Sequence, residues 1–119
     1  MGDSAPLTLG TWGTQLLSTS KTMTTLRLIK SPAKGKKWRA IFRDDDGEEH
    51  HTDFGDATME DYTQHHDKMR RANYLSRHRS RESWSNPQSA GALSRWILWG
   101  ESTSLHTNLQ AFKRRFSLA

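Results

Sequence analysis

The segment from residue 36 to residue 54 constrains the fold of this chain more than any other. Its first half is strand-like, because Trp38, Ala40 and Phe42 recur at every second position and would share one face of a β-strand. Three aspartates and Gly47 follow at residues 44–47 and predict a tight turn, because glycine readily adopts the positive φ that such a turn needs. Residues 49–54 are the expected partner strand, so the segment predicts a β-hairpin.

The pattern changes from strand to helix after residue 56. Residues 57–82 place apolar residues at three- and four-residue steps and predict one mostly helical stretch that begins either near Thr58 or near His66 and Asp67. Its expected buried stripe consists of Tyr62, His65, Met69, Ala72 and Leu75.

Two further helices are expected. Asn86 as cap and Pro87 at the first position predict a helix that is apolar on nearly all sides and ends at Gly100, which makes it the central core helix. Ser102 or Thr103 then caps a last helix. Its apolar stripe consists of Leu105, Leu109, Phe112 and Phe116.

These elements predict an α+β fold: a small β-hairpin followed by about three helices, with an irregular N-terminal arm. The arm is the Ser/Thr/Gly-rich stretch of residues 1–33, with one strand near residues 24–30, and residues 34–119 form a single small basic domain. Hydrophobic residues make up 33% of the 119 residues, so the core is thin. The aromatic residues expected in that core are Trp38, Trp96, Trp99, Phe112 and Phe116.

Several functional classes find no support in the sequence. Cysteine is absent, which excludes disulfides and thiolate zinc sites, and no nucleotide-binding or hydrolase motif occurs. The six histidines lack zinc-site spacing, and residues 44–47 lack the spaced ligands of a calcium loop. We therefore expect no enzymatic activity, metal, cofactor or small-molecule substrate. The longest apolar run is too short to span a membrane, and no secretory signal is recognisable, so an intracellular location is expected.

Charge is divided unevenly along the chain. The net charge is +5, but residues 1–67 hold eight Lys/Arg against eleven acids, whereas residues 68–119 hold ten Lys/Arg against two. This asymmetry favours a polyanionic partner for the second half. The alternative is a solvated basic face that pairs with the acidic first half.

The basic residues are densest between residues 68 and 81, which contain no acid. Arginine dominates there, and its planar guanidinium suits phosphate oxygens. On one helix face Arg70, Arg77 and Arg81 are expected to hold phosphates, with residues 113–115 as a second patch. The candidate nucleic-acid-binding residues are Arg70, Arg71, Arg77, His78, Arg79, Arg81, Arg95, Lys113, Arg114 and Arg115. Phosphate contacts alone predict no sequence specificity.

A series of short motifs gives the chain a family resemblance over residues 36–116. In order they are Phe54-Gly55, Asp61-Tyr62-Thr63-Gln64-His65-His66-Asp67, Arg70-Arg71, Tyr74, Arg77-His78, Ala90-Gly91, Ser94-Arg95, Leu98-Trp99 and Lys113-Arg114-Arg115-Phe116. With this series the chain resembles the dinoflagellate/viral nucleoproteins, basic proteins of dinoflagellates and of large DNA viruses of algae and protists.

The resemblance implies a non-enzymatic protein that coats or packages DNA, in a virion or a nucleus. The contacts it implies are Arg70, Arg71, Arg77, His78, Arg95, Arg114 and Arg115. The chain departs from the bulk chromatin members of that family, which have a long Lys-rich tail before the core. Residues 1–33 contain only Lys21, Arg27 and Lys30 as basic residues.

Two hypotheses remain open. In the first, the protein binds DNA without sequence specificity through the phosphate backbone. In the second, it is a minor structural protein of a virion or capsid, whose arm and basic face bind other proteins. In the first hypothesis Arg70, Arg77 and Arg81 are exposed and unpaired, whereas in the second they pair with carboxylates.

Overall fold

The predicted hairpin is the centre of an antiparallel sheet. In the computed structural model, which describes residues 23–119, strand β2 spans Lys36–Arg43 and strand β3 spans Glu49–Asp56. The pairing sets Trp38 opposite Phe54, and Ala40, Phe42 and Phe54 are buried, as the predicted face requires; Ile41, on the opposite face, is buried as well. Gly47 closes the turn with a φ of 89°, as the sequence predicts.

A third strand, β1, spans Thr25–Lys30 and pairs antiparallel with β2. These residues belong to the segment that the sequence analysis assigned to the arm, where it expected one strand near residues 24–30. Leu26 explains why the strand joins the sheet: it lies opposite Phe42 and is only 2% exposed, so it is part of the core. The folded part therefore begins before residue 34, whereas residues 1–22 lie outside the described part of the chain.

Residues 57–82 form two helices rather than one. Helix α1 spans Tyr62–His65 and helix α2 spans Lys68–His78. His66 between them adopts a left-handed backbone with a φ of 57°, which ends α1. Asp67 then caps α2 by accepting hydrogen bonds from the backbone N–H groups of its first turn. The sequence allowed a helix start near Thr58 or near residues 66–67, and the second is correct for α2.

The central helix begins at Ala90, later than Pro87 predicts. Ser89 caps helix α3, Ala90–Leu93, and the backbone continues as a π-helical segment, Ser94–Leu98. We call residues 90–98 the core helix. Asn86 instead caps the preceding turn by accepting the N–H of Gln88. Leu93 and Ile97 are fully buried, which confirms the central position.

Helix α4 spans Leu105–Arg115 and is capped by Ser104 rather than by Ser102 or Thr103. Its predicted stripe is confirmed: Phe112 is buried, and the other three members pack against the core. With the core helix, α4 covers one side of the sheet, which completes an α+β fold. None of the helices within residues 23–119 has the length and apolar content needed to cross a membrane.

The buried face of α2 differs from the predicted stripe. Met69 is 69% exposed, and Ala72 is also exposed. The buried residue is Tyr74, whose ring stacks on that of Trp99 with a centroid distance of 4.2 Å and an interplanar angle of 15°. Because α2 is a separate helix, its orientation follows this aromatic contact and not the apolar residues counted along residues 57–82.

The core helix ends in a close turn at residues 99–100, which we call the 99–100 turn. A Cβ on Gly100 would overlap the Trp96 carbonyl oxygen and approach Asn108 Cγ to 2.7 Å, so only glycine fits here. Asn108 is 3% exposed and donates through Nδ2 to the carbonyls of Ile97 (2.9 Å) and Ser102 (2.7 Å). One amide thereby joins α4 to both sides of the turn.

We expect Asn108→Ala to lower the free energy of unfolding by about 2–3 kcal/mol, because it leaves buried carbonyls without a donor. Asn73→Ala is the matched control, since Asn73 is an exposed residue of α2. That control is expected to stay within about 0.5 kcal/mol of wild type. Urea unfolding followed by tryptophan fluorescence measures both, and equal stabilities of the two variants would contradict the role of Asn108.

Candidate functional site

The structure divides the predicted binding residues between three elements. Helix α2 and the turns after it hold most of them, the core helix holds Arg95, and the C-terminal turn of α4 holds the last three. The residues from α2 onward are Arg70, Arg71, Arg77, His78, Arg79 and Arg81, and those of α4 are Lys113, Arg114 and Arg115. Their surroundings differ, which separates structural cations from exposed ones.

Arg71 and Arg95 have internal partners. The Nε–H of Arg71 is shared between the carbonyls of Trp99 (3.1 Å) and Gly100 (2.9 Å), and Arg95 Nη1 donates to the Trp99 carbonyl (3.2 Å). The carbonyls at the end of a helix lack N–H donors within the helix, and the two arginines supply these donors. Phosphate contact by these two residues stays a prediction, but part of each guanidinium is already engaged in this turn.

His78 is also engaged inside the fold. Its Nδ1 lies 2.8 Å from Glu82 Oε2, and its ring lies against Tyr74 with a centroid distance of 4.2 Å. Glu82 also accepts a long hydrogen bond from Trp84 Nε1 (3.4 Å). His78 therefore links α2 to the turn that follows it.

The arginines expected to share one helix face do not all lie on the helix. Helix α2 ends at His78, so Arg81 lies in the following turn, where its Nε donates to the Arg77 carbonyl (3.3 Å). Arg70 is 48% exposed and makes a loose ion pair with Glu60 at 3.7 Å. Arg77, Arg79 and Arg81 are exposed, and none of the described carboxylates lies within 4.0 Å of them.

A shallow groove of about 530 Å³ brings two distant parts of the sequence together. Arg79, which follows α2, and Arg115, at the end of α4, both line it, together with Trp84 and Trp96. The guanidinium carbon of Arg115 lies 3.7 Å from the Trp96 ring centroid. We call this feature the Arg–Trp groove.

Arg95 packs against both tryptophans of the groove. Its guanidinium carbon lies 4.1 Å from the centroid of Trp96 and 5.1 Å from that of Trp84. The Trp96 Nε1–H donates to the Trp84 carbonyl (2.8 Å), which holds the two tryptophans together. Sequence analysis assigned Trp96 to the core and did not name Trp84 as a candidate residue. The adjacent Arg95 and Trp96 were the sequence feature that could have indicated this arginine–tryptophan cluster.

Lys113 and Arg114 lie at the outer end of α4. Arg114 is exposed and Lys113 is half-buried. Together with Arg114, Arg115 also borders a second open cleft of about 680 Å³, beside Glu101 and Thr107. Cations in the last turn of a helix are favoured by the helix dipole, which accounts for their position independently of any ligand.

The pKa shifts in this region follow from burial and from like charges. Burial lowers the pKa of the Arg95 guanidinium, and repulsion from Arg71 and Arg115 lowers that pKa further, against the opposing effect of Glu101. Burial also raises the pKa of the Tyr74 hydroxyl far above its ordinary value, so Tyr74 stays neutral beneath these cations.

Two other polar clusters lie outside this region. A cleft of about 340 Å³ between α2 and the core helix contains Lys37, whose Nζ lies 2.7 Å from the buried carboxylate of Asp61. Near the hairpin turn, single ligand atoms of Asp44, Glu48 and His50 lie within 4.8 Å of one another. Asp44 caps that turn by accepting the Glu48 N–H (2.9 Å), so its carboxylate has a structural role.

Comparison with known proteins gives one match. The model of a family of unknown function, DUF5754, matches residues 26–78, which include the sheet, α1 and α2. No curated protein and no solved structure matches the chain. The matched segment excludes the core helix and α4, and the family description bears on neither the nucleoprotein resemblance nor any activity.

We expect Arg71→Ala to lower the free energy of unfolding by about 1.5 kcal/mol or more, because it removes a charged donor from two carbonyls. Arg77→Ala is the matched control on the same helix and is expected to stay within about 0.5 kcal/mol of wild type. Chemical denaturation of the two variants measures the difference. Equal losses would show that the 99–100 turn does not depend on Arg71.

Acidification is expected to destabilise the fold partly through His65. Its Nδ1 accepts the backbone N–H of Asp67 (2.9 Å), and burial and the Arg70 charge lower its pKa from the ordinary 6.5. The unfolded chain therefore binds this proton more readily than the folded chain does. The contribution of neutral His65 is fully present above about pH 6.5 and is lost as the pH falls below that value.

The measurement is the free energy of unfolding between about pH 7.5 and pH 5.5, which brackets the ordinary histidine pKa. In His65→Gln, the decrease on acidification should be smaller than in wild type. His106→Gln, which changes an exposed histidine of α4, should keep the wild-type dependence. An unchanged slope in His65→Gln would contradict the assignment.

Proposed function

We propose that the protein binds nucleic acid through the phosphate backbone, without sequence specificity, using six cations after residue 76. The proposed contacts are Arg77, Arg79, Arg81, Lys113, Arg114 and Arg115. As in the nucleoproteins that the sequence resembles, the proposed role is to coat or package DNA in a virion or a nucleus.

The observation that supports this proposal is the separation of charge in the folded chain. Acids of the first half pair with cations of the first half: Arg39 with Asp53 (2.9 Å), Arg43 with Glu49 (2.7 Å) and Lys37 with Asp61. Hydrogen bonds from Arg39 and then Ser31 lower the pKa of Asp53, so this carboxylate remains ionised in its pair.

Other acids of the first half act as local caps. Asp67 caps α2, and Asp56 accepts from Thr58. Between the two halves of the described chain, the single ion pair is the loose one between Glu60 and Arg70. The acidic half therefore does not neutralise the basic half, which argues against the solvated-face alternative and leaves the second half attractive to a polyanion.

Arginine and lysine at exposed positions suit phosphate oxygens, and the contribution of each contact depends on salt, because binding releases counterions from the nucleic acid. Such contacts orient a protein on its partner but do not distinguish base sequences. The proposal therefore predicts salt-dependent affinity that is similar for different DNA sequences.

The test is binding to random double-stranded DNA over a salt series. If the six proposed cations neutralise about six phosphates, the logarithm of the affinity should fall against the logarithm of salt with a slope of about −5. The double variant Arg77→Ala/Arg81→Ala should flatten that slope by about two.

Arg27→Ala/Lys30→Ala is the control, because it removes the same charge from exposed positions of β1. It should leave the slope near the wild-type value. Equal flattening by the two double variants would show that net charge alone drives binding. Absence of binding at about 50 mM salt would contradict the proposal and favour the protein-binding alternative, a structural role in a virion or capsid.

A further inference from the structure

The Arg–Trp groove has a second property besides charge. Indole rings and guanidinium groups contact one another alternately here, in the order Trp84, Arg95, Trp96, Arg115. Arg115 is exposed and is the last layer of this stack. A flat group can be added to it, because guanidinium groups stack on aromatic rings with either face.

The groove also contains positive charge that the described part of the chain leaves uncompensated. Three guanidinium groups, those of Arg79, Arg95 and Arg115, lie on or beneath it, and no described carboxylate lies within 4.0 Å of any of them. The Nε of Arg95 is buried and has no hydrogen-bond partner. Burial, and then repulsion from Arg71 and Arg115, lower the pKa of Arg95.

Glu82 is the acid that borders the groove. Its carboxylate is already occupied by His78 on one oxygen and by the Trp84 indole N–H on the other. It therefore orients Trp84 and does not form an ion pair with Arg79 or Arg115.

We propose that the Arg–Trp groove binds an unpaired nucleotide of a single-stranded nucleic acid. The base stacks against the exposed face of the Arg115 guanidinium, and the flanking phosphates contact Arg79 and the edge of Arg115. This inference rests on the proposed function and narrows its substrate class from any phosphate backbone to strands with accessible base faces.

Two properties of the groove favour an unpaired strand over a duplex. Bases inside a duplex have both faces covered by their neighbours, so they cannot reach a stacking surface at the bottom of a groove. The volume of about 530 Å³ lies within the range of small-molecule clefts, which suits one nucleotide and not the width of a double helix.

The experiment compares two oligonucleotides of equal charge, each of about eight nucleotides, a length within the usual site size for single strands. One is an oligothymidylate, and the other is an abasic strand with the same phosphates. Fluorescence anisotropy of labelled strands gives both affinities for the full-length protein. The proposal predicts that the oligothymidylate binds at least about fivefold more tightly than the abasic strand.

Two conservative variants separate stacking from charge. Arg115→Lys keeps the positive charge but removes the planar guanidinium, so it should at least roughly halve the affinity ratio of the two strands while preserving the salt slope. Arg114→Lys makes the same change at the adjacent exposed residue and should keep the wild-type ratio.

The outcomes distinguish this inference from the proposed function. Equal affinity for thymidylate and abasic strands overturns base stacking, and salt-dependent duplex binding would then still support the proposed function. A ratio that falls equally in Arg114→Lys and Arg115→Lys overturns the assignment to the groove. Failure to bind any strand or duplex at about 50 mM salt overturns both proposals.

Discussion

The 99–100 turn is the constraint on which the rest of the helical layer depends. A helix leaves its last carbonyls without internal partners, and the core helix ends in the interior, where water cannot replace the missing donors. Arg71 of α2 and Asn108 of α4 supply those donors. Because the Trp99 ring also stacks on Tyr74, the same turn fixes the positions of three helices relative to one another.

This turn also decides which arginines remain exposed. Arg71 faces the turn and donates to its carbonyls, whereas Arg70, its neighbour in sequence, is directed to the surface. A guanidinium suits the internal position, since it has five N–H donors and an apolar stem that covers neighbouring side chains. In a chain with 33% hydrophobic residues, such stems supplement a small core. Neighbouring basic residues in the sequence therefore have different roles: some stabilise the packing of the helices, and others provide surface charge.

Local patterns predicted much of the fold. The hairpin and the stripe of α4 follow from spacing and turn chemistry within a few residues. The buried face of α2 could not be predicted in this way, because it depends on the break at His66 and on a contact between Tyr74 and Trp99, 25 positions apart in sequence. For the candidate site, the basic segment was visible in the sequence. The pairing of Arg115 with Trp96 was not, because only the packing of α4 on the core helix creates it.

An arginine can be held in place in two ways that have different consequences for binding. In the ion pair of Arg39 with Asp53, the partner neutralises the charge and occupies the N–H groups. On an indole ring, as for Arg115 on Trp96, the side chain is ordered through its flat face while the charge and the N–H edge stay accessible. Ordering of this kind reduces the entropy lost when an anion binds. The sheet holds its arginines in ion pairs, whereas the groove holds Arg115 on an indole ring. The groove therefore presents an ordered positive charge that a negatively charged partner can still reach.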